Sequence, residues 1–264
     1  MKLFFHSLAI VAFAVCCAIT VLPQTNARLE KNVLSRLKSL ERIAARPGNS
    51  RSASLKKENF QLEKEFLRGL KNPSTLKYVF KALAEKMFIA TSPDGNFRIY
   101  SWDDQTGGTM RNFKNIYQYR GHGRKVFAIA SSSRKQGVNG FSHQIFQFDT
   151  GKGRVYLANF TYIFSTSAIR QELSLYGVEG PKLVADIKLI KTRTGLHNSV
   201  GFDYDFFSVV NRPERPVTLF YFDQSTRSFR FPVVLIDKQF PNGGRVTNKF
   251  ITYKFNGKYF SRVP

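Results

Sequence analysis

From Phe88 to the end of the chain, apolar and polar residues alternate with a period of two, as in residues 97–102. Successive side chains of a β-strand point to opposite sides of a sheet, so this alternation predicts strands. The runs recur at roughly 10–15-residue spacing and are separated by Gly-, Asn- and Asp-containing turns. The pattern therefore predicts a mainly β fold, with an antiparallel sandwich or barrel-like body of about 10–12 strands.

The other predicted strands share this alternation and lie at 113–119, 125–130, 141–148, 154–164, 173–176, 183–190, 199–209, 217–222, 229–236 and 249–255. A small β-propeller-like arrangement is the alternative, because Ser92-Pro93-Asp94-Gly95 followed by an aromatic strand resembles the turn of a propeller blade. A propeller needs at least about four blades, and no clean internal repeat is present.

Residues 28–87 have a different, helical period. A stripe at three- and four-residue spacing predicts a first helix, and residues 55–70 predict a second. A third helix is expected from Ser74 as its N-cap, presenting Leu76, Val79, Phe80 and Leu83 on its inner side. These apolar stripes are most simply packing faces, although the basic first helix could also contact a membrane surface peripherally.

The first 27 residues have the layout of a secretory signal peptide. Lys2 is their only charge, an apolar run follows, and Thr25-Asn26-Ala27 places small residues around a cleavage site. An uncleaved anchor is the alternative reading, because the apolar stretch is long enough to span a bilayer. Cleavage would remove Cys16 and Cys17, so the expected periplasmic or secreted chain would use neither thiols nor disulfides.

The charge indicates the kind of partner. The whole chain has a net charge of +23, and residues 28–264 retain +22. Such a charge attracts anions over long range. In an exported protein the partner could be an anionic envelope component or an acidic protein, whereas nucleic acid is not expected in that compartment. A purely solubilising charge is the alternative interpretation.

Three segments supply candidate ligand-binding residues. Trp102, Asp103 and Asp104 precede a Gly pair and could form an aromatic lip, or simply a strand end. His122 and Arg124 lie in a Gly-rich loop that suits an anion site, or a solvated turn. Arg212 and Arg215 flank a rigid Pro-containing turn that could hold a carboxylate or phosphate, or pair with Glu214.

No sequence motif supports nucleophilic catalysis, and no histidine pair has a metal-ligand spacing, so no cofactor or metal is expected. A hydrolase or lyase acting on an acidic cell-envelope polymer is the alternative function. It requires at least two of six residues to converge in a cleft. These residues are Asp103, Asp104, His122, His143, Asp203 and Asp205.

Three stretches resemble an exported bacterial family without an assigned function. They are 97–109, with FRIYSWD and TGGT, 204–216, with YDFFSVV and RPERP, and 250–260. The resemblance implies export, an N-terminal helical segment and a β-rich body at 88–264, but no activity. The sequence thus favours an exported, non-enzymatic binding protein with an anionic target.

Overall fold

A computed structural model describes residues 25–48, 50–131, 139–212 and 217–263, apart from the side chain of Arg124. Most of the predicted signal peptide, with both cysteines, lies outside these residues. Within the described part, no helix is both long and apolar enough to cross a membrane. Helix α1 begins at Asn26, where the Thr25 side chain accepts a hydrogen bond from the Arg28 N–H, so the predicted cleavage after Ala27 falls in its first turn.

Two long helices open the described chain, α1 (Asn26–Ala44) and α2 (Arg51–Leu70). They form an antiparallel hairpin, and the predicted apolar stripes are its packing faces. Leu29 and Leu37 of α1 and Leu62 and Phe66 of α2 are buried. Because the stripe of α1 packs inside the protein, a membrane could reach only the polar side of this helix.

The predicted third helix is not continuous. It consists of a 3-10 turn (Pro73–Leu76) and a one-turn helix α3 (Lys81–Ala84), and Val79 between them is exposed. The buried Arg98 explains the break, because its guanidinium donates hydrogen bonds to the carbonyls of Thr75 and Tyr78. Asn72 rather than Ser74 caps the 3-10 turn, accepting a hydrogen bond from the Ser74 N–H.

The remaining elements are strands, listed here in chain order: β1 (Phe88–Thr91), β2 (Phe97–Asp103), β3 (Phe113–Arg120), β4 (Val126–Ala130), β5 (Phe141–Thr150), β6 (Gly153–Ile163), β7 (Ala168–Glu179), β8 (Lys182–Val184), β9 (Ile190–Thr192), β10 (Gly195–His197), β11 (Ser199–Asp205), β12 (Tyr221–Asp223), β13 (Ser228–Leu235), β14 (Arg245–Phe255) and β15 (Phe260–Arg262). Sheet 1 has the order β1-β2-β3-β4, and sheet 2 has the order β11-β7-β6-β5, with β8 paired to β7. Sheet 3 has the order β10-β9-β15-β14-β13-β12 and is antiparallel except between β15 and β9.

The elements stack in four layers: the helical hairpin, sheet 1, sheet 2 and sheet 3. Helix residues pack with Tyr100 and Trp102 on one side of sheet 1. Phe97 and Tyr117 on its other side meet sheet 2. The far side of sheet 2 packs on a Phe-rich side of sheet 3 that includes Phe229. Sheets 1 and 2 are therefore covered on both faces, whereas sheet 3 is covered on one.

The prediction of a mainly β, sandwich-like fold is confirmed. The described sheets have four, five and six strands and neither close into a barrel nor repeat as four-stranded blades. Some predicted strands are shorter than expected. The one predicted at 199–209 ends at Asp205, whose carboxylate accepts a hydrogen bond from the Phe207 N–H and starts a 3-10 turn (Phe206–Val209).

Candidate functional site

The uncovered side of sheet 3 is the strongest candidate for a binding surface, and we call it the open face. Its side chains come from the three strands β12, β13 and β14. They are Tyr221, Ser228, Arg230, Phe250, Thr252 and Lys254. The alternation of the strands places them outward, because their neighbours Phe229, Tyr253 and Phe255 are buried against sheet 2.

Arg230 is fixed at the centre of the open face by two aromatic rings. Its guanidinium carbon lies 5.4 Å from the ring centre of Tyr221 and 4.7 Å from that of Phe250. These distances are typical of cation–π contacts, which leave the N–H groups at the guanidinium edge able to donate. Arg230 has no carboxylate partner within the described residues. The arrangement presents a pre-oriented cation to an anionic ligand from outside.

A row of side chains extends the positive charge along the same surface. Lys254 lies opposite Ser261, which in turn lies opposite Lys191 of β9. Two strand spacings separate the lysines, or about 10 Å. Lys191 also lies over an aromatic ring, with its Nζ 5.0 Å from the ring centre of Tyr259. This contact lowers the pKa of the Tyr259 hydroxyl, mainly through the hydrogen bond from Lys191.

The open face has one carboxylate beside these cations. Asp223 accepts hydrogen bonds from Ser225 and Thr226 of its own turn. The hydrogen bond from the Ser225 side chain is the largest cause that lowers the pKa of Asp223 to about 2. A shallow depression of about 520 Å³ lies between Asp223, Arg230 and Lys254. Its shape and charge suit an extended anionic chain better than an enclosed small molecule.

The helical hairpin is the other outer surface, and it is also basic. Each carboxylate of α1 and α2 has a partner: Glu30 binds Tyr78 and backbone N–H groups, Glu41 binds Lys86, Glu58 and Glu65 bind Arg36, and Glu63 binds Lys114. The exposed cations of the two helices without an ion pair among the described residues are Arg28, Lys31, Lys38, Arg42, Arg51, Lys56, Lys57, Lys64 and Arg68. None is held by an aromatic contact like that of Arg230.

The first predicted ligand-binding segment lies at the end of β2, and its side chains form hydrogen bonds with other groups of the protein. Trp102 is fully buried under α2, and its indole N–H donates to the Asn59 side chain over 3.0 Å, so it offers no aromatic platform to a ligand. Asp103 accepts hydrogen bonds from the Gln105 N–H and from Arg111. Asp104 is buried and accepts hydrogen bonds from Thr106 and Asn112.

The other predicted binding residues are not brought together with these. β2 and β3 are antiparallel, so His122, just after β3, lies at the opposite end of sheet 1 from Asp103. His122 is exposed, and Arg124 ends the same 3-10 turn (His122–Arg124). Arg212 follows the 3-10 turn after β11, and Arg215 lies outside the described residues.

The six residues on which the enzyme hypothesis depends do not converge either. None of them lines the depression on the open face or either of two clefts between the sheets. Asp203 is exposed and pairs with Arg170, whereas Asp205 is buried as a cap. His143 lies 3.0 Å from the Thr218 hydroxyl, and burial lowers its pKa to about 4.

Two further aspartates, one in the β1–β2 turn and one near the end of β5, also have protein partners. Asp94 and Asp149 both bind the guanidinium of Arg154, each at 2.8 Å. Despite the opposing effect of burial, hydrogen bonds from Ser92, Asn96 and Arg154 lower the pKa of Asp94 to about 2. Within the described residues, no three His, Cys, Asp or Glu side chains form a group that could hold a metal ion.

The sequence patterns did not identify the open face, because its cation and aromatic rings are spread over three strands. A signal was present in the sequence, since Ser228 and Arg230 alternate with Phe229 and Phe231. That alternation indicates a strand with one polar face, but it does not reveal which rings lie beside Arg230. Only the register of β12, β13 and β14 does so.

Comparisons with protein-family models, with curated proteins and with solved structures each found no match. The resemblance to an exported bacterial family therefore stays a prediction.

Proposed function

We propose that this chain is an exported, non-enzymatic binding protein whose open face binds an anionic polysaccharide of the cell envelope. The observation that carries the proposal is the Arg230 guanidinium held between Tyr221 and Phe250 on an uncovered sheet. A planar, pre-oriented guanidinium binds carboxylate or phosphate groups with two hydrogen bonds and loses little entropy in doing so. The neighbouring rings offer apolar surface to sugar rings.

The spacing of the cations supports a polymer rather than a single ion. Arg230, Lys254 and Lys191 follow one another across sheet 3, on β13, β14 and β9, so a chain with repeated negative charges could meet all three. Several weak ion pairs formed at the same time would give such a chain a higher overall affinity than any one pair alone. An acidic protein is the competing target, and the helical hairpin is the competing surface.

The test is binding of the chain without residues 1–27 to polygalacturonate and lipopolysaccharide, with neutral dextran and polyglutamate as comparison polymers. We expect binding to the acidic polysaccharides to weaken about tenfold between roughly 50 and 300 mM salt, because screening shortens the range of exposed charges. Equal binding to dextran, or insensitivity to salt, would contradict an anionic target. Tighter binding to polyglutamate would indicate an acidic protein instead.

Matched variants locate the surface. Arg230→Ala with Lys254→Ala should weaken polysaccharide binding about tenfold or more, because it removes the fixed guanidinium and its neighbour. Lys56→Ala with Lys57→Ala removes the same charge from α2 and should change binding less than about twofold. If the α2 pair causes the larger loss, the helical hairpin is the binding surface and the open face is not.

A further inference from the structure

A cleft at one end of the molecule has a different character from the open face. It lies where sheets 2 and 3 diverge, between the β5–β6 turn, the β7–β8 hairpin and the β14–β15 turn, and its volume is about 480 Å³. That size lies within the roughly 300–1,000 Å³ typical of small-molecule sites. We call it the end cleft.

The floor of the end cleft is apolar. It is formed by the side chains of Val155, Ile187, Leu189 and Phe255, which belong to the core between sheets 2 and 3. Gly177 shapes one wall, because a Cβ there would lie 2.5 Å from Cδ1 of Ile187. The absence of that Cβ lets Ile187 lie against the backbone of β7. An alkyl chain in this cleft would exchange water for contact with these four side chains, which is favourable for each methylene.

The mouth of the cleft is open and cationic. Gly151 and Gly257 lie in the two turns that border it, and a Cβ added to either would meet no atom within 4 Å. Each glycine is followed by an exposed lysine, Lys152 in one turn and Lys258 in the other, and neither has an ion pair among the described residues. The two turns thus place two uncompensated cations at the rim.

Two further charged groups line the same cleft. Arg154 is already bound by Asp149 and Asp94, so these three groups together carry one negative charge. Glu179 is the one carboxylate of the lining, and in the strand register it lies opposite Lys182. Together with Lys152, Lys258 and Lys182, these groups have a net charge of +1, so the rim favours a negative head group over a positive one.

We propose that the end cleft binds a single alkyl chain carrying an anionic head group, with the chain on the apolar floor and the head group between Lys152 and Lys258. The floor alone would accept any alkyl chain, so the lysines select the charge of its end. A polymer is excluded by the enclosed floor. This site goes beyond the proposed function, because it shares no residue with the open face.

The test measures displacement of the fluorescent probe dansyl-undecanoate from the chain without residues 1–27, with all competitors below their micelle-forming concentrations. Dodecanoate should compete about tenfold better than dodecanol, and dodecyltrimethylammonium should compete worst. Competition by lysophosphatidylglycerol would indicate an alkyl chain bound on a glycerol phosphate, and competition by dodecanoate would indicate a free fatty acid. Competition by either of these two ligands supports the proposal. Absence of competition by both would overturn it, as would equal competition by dodecanoate and dodecanol.

Two variants separate the floor from the rim. Ile187→Trp fills the cleft and should abolish binding of every probe, while Leu196→Trp on β10 controls for an added exposed ring. Lys152→Ala with Lys258→Ala should remove the preference for dodecanoate over dodecanol and leave dodecanol binding unchanged. These lysines are exposed, so their loss should not impair folding, which a thermal melt verifies. Retained preference in the double variant would overturn the role of the rim.

Polysaccharide binding by Ile187→Trp provides the final control. The open face lies on other residues, so this variant should bind polygalacturonate as the unmodified chain does. Failure of the end-cleft proposal is thereby distinguishable from failure of the proposed function.

Discussion

Sheets 1 and 3 both pack one face against sheet 2, but their opposite faces differ. Sheet 1 is closed by the helical hairpin, and its covered face includes Tyr100, Trp102 and Ile116, all fully buried. Sheet 3 ends the stack with no such cover, and its outward side has Tyr221, Arg230 and Lys254 instead. The difference indicates that the outer side of sheet 3 is suited to contact with solvent, because a surface awaiting another layer would be apolar.

Replacing an aromatic side chain on the outer side of each sheet should give the largest difference in stability between them. Trp102→Ala should lower the free energy of unfolding by about 3–5 kcal/mol, because it leaves a large cavity between α2 and sheet 1. Phe250→Ala on the open face should cost less than about 1 kcal/mol, since that ring is 39% exposed. Urea unfolding of both variants measures the difference, and similar losses would show that the open face is covered in solution.

Removing a buried polar group should give the next largest effect. Asn59 donates to the carbonyls of Leu55 and Asp104 and accepts from Trp102. Asn59→Ala should cost about 2 kcal/mol, because it leaves the buried indole N–H and a carbonyl unpaired. Thr252→Ala on the open face provides the matched comparison and should be nearly neutral in the same urea experiment. A neutral Asn59→Ala would contradict the role of this contact in holding the hairpin.

An ion-pair group in the hairpin should give a smaller, pH-dependent effect. Burial opposes ionisation of Glu65, but hydrogen bonds from Arg36 and Asn32 lower its pKa below the usual 4.5. The native state thus binds protons less readily than the unfolded chain, so this stabilisation is complete above pH 4.5 and is lost as pH falls through the lowered pKa.

Arg36→Ala should therefore cost about 0.5–1 kcal/mol at pH 7 after allowance for solvent screening. The difference from the unmodified chain should narrow in acid, as unfolding curves at pH 7 and at low pH would reveal. A constant difference at both pH values would mean that Arg36 stabilises the hairpin by packing rather than by charge.

Loss of the open-face arginine should have the smallest effect on folding. Arg230→Ala removes exposed cation–π contacts and should change the free energy of unfolding by less than about 0.5 kcal/mol. The measurement is a thermal melt beside the polysaccharide-binding assay. A large loss of stability would mean that Arg230 holds β12 to β14 rather than presenting a ligand site.

The fold could be predicted from periodicity as far as element type, but its layering could not. All of β2 except its last residue is buried, although it contains Arg98 and Ser101. The alternation suggests that such residues face water. In the protein Arg98 faces the segment after α2 and donates to the carbonyls of Thr75 and Tyr78, whereas Ser101 faces sheet 2 and donates to Asn115 of β3. Those partners are brought close by tertiary structure, which a local pattern does not encode.

The candidate binding surface was even harder to predict from the sequence than the layering of the fold. Trp102 and its two aspartates looked functional because a lone Trp beside acids and glycines is conspicuous in the sequence. Trp102 instead donates its buried indole N–H to Asn59 of α2, and the two aspartates accept hydrogen bonds from N–H groups of the loop that follows β2. The open face depends on the register of separate strands, so no short motif marks it. The net charge predicts an anionic partner, but it does not indicate whether the helical hairpin or sheet 3 would bind that partner.

The position of β15 in sheet 3 has a consequence for the order of folding. This last described strand is not at an edge but between β14 and β9, and it pairs with β9 in parallel. During synthesis, β9 and β10 are made long before β15, which joins them to β14. Sheet 3 therefore cannot be completed until β15 has been made. Such non-local pairing slows folding. Late completion of sheet 3 would help a chain that has to stay unfolded while it leaves its compartment of synthesis.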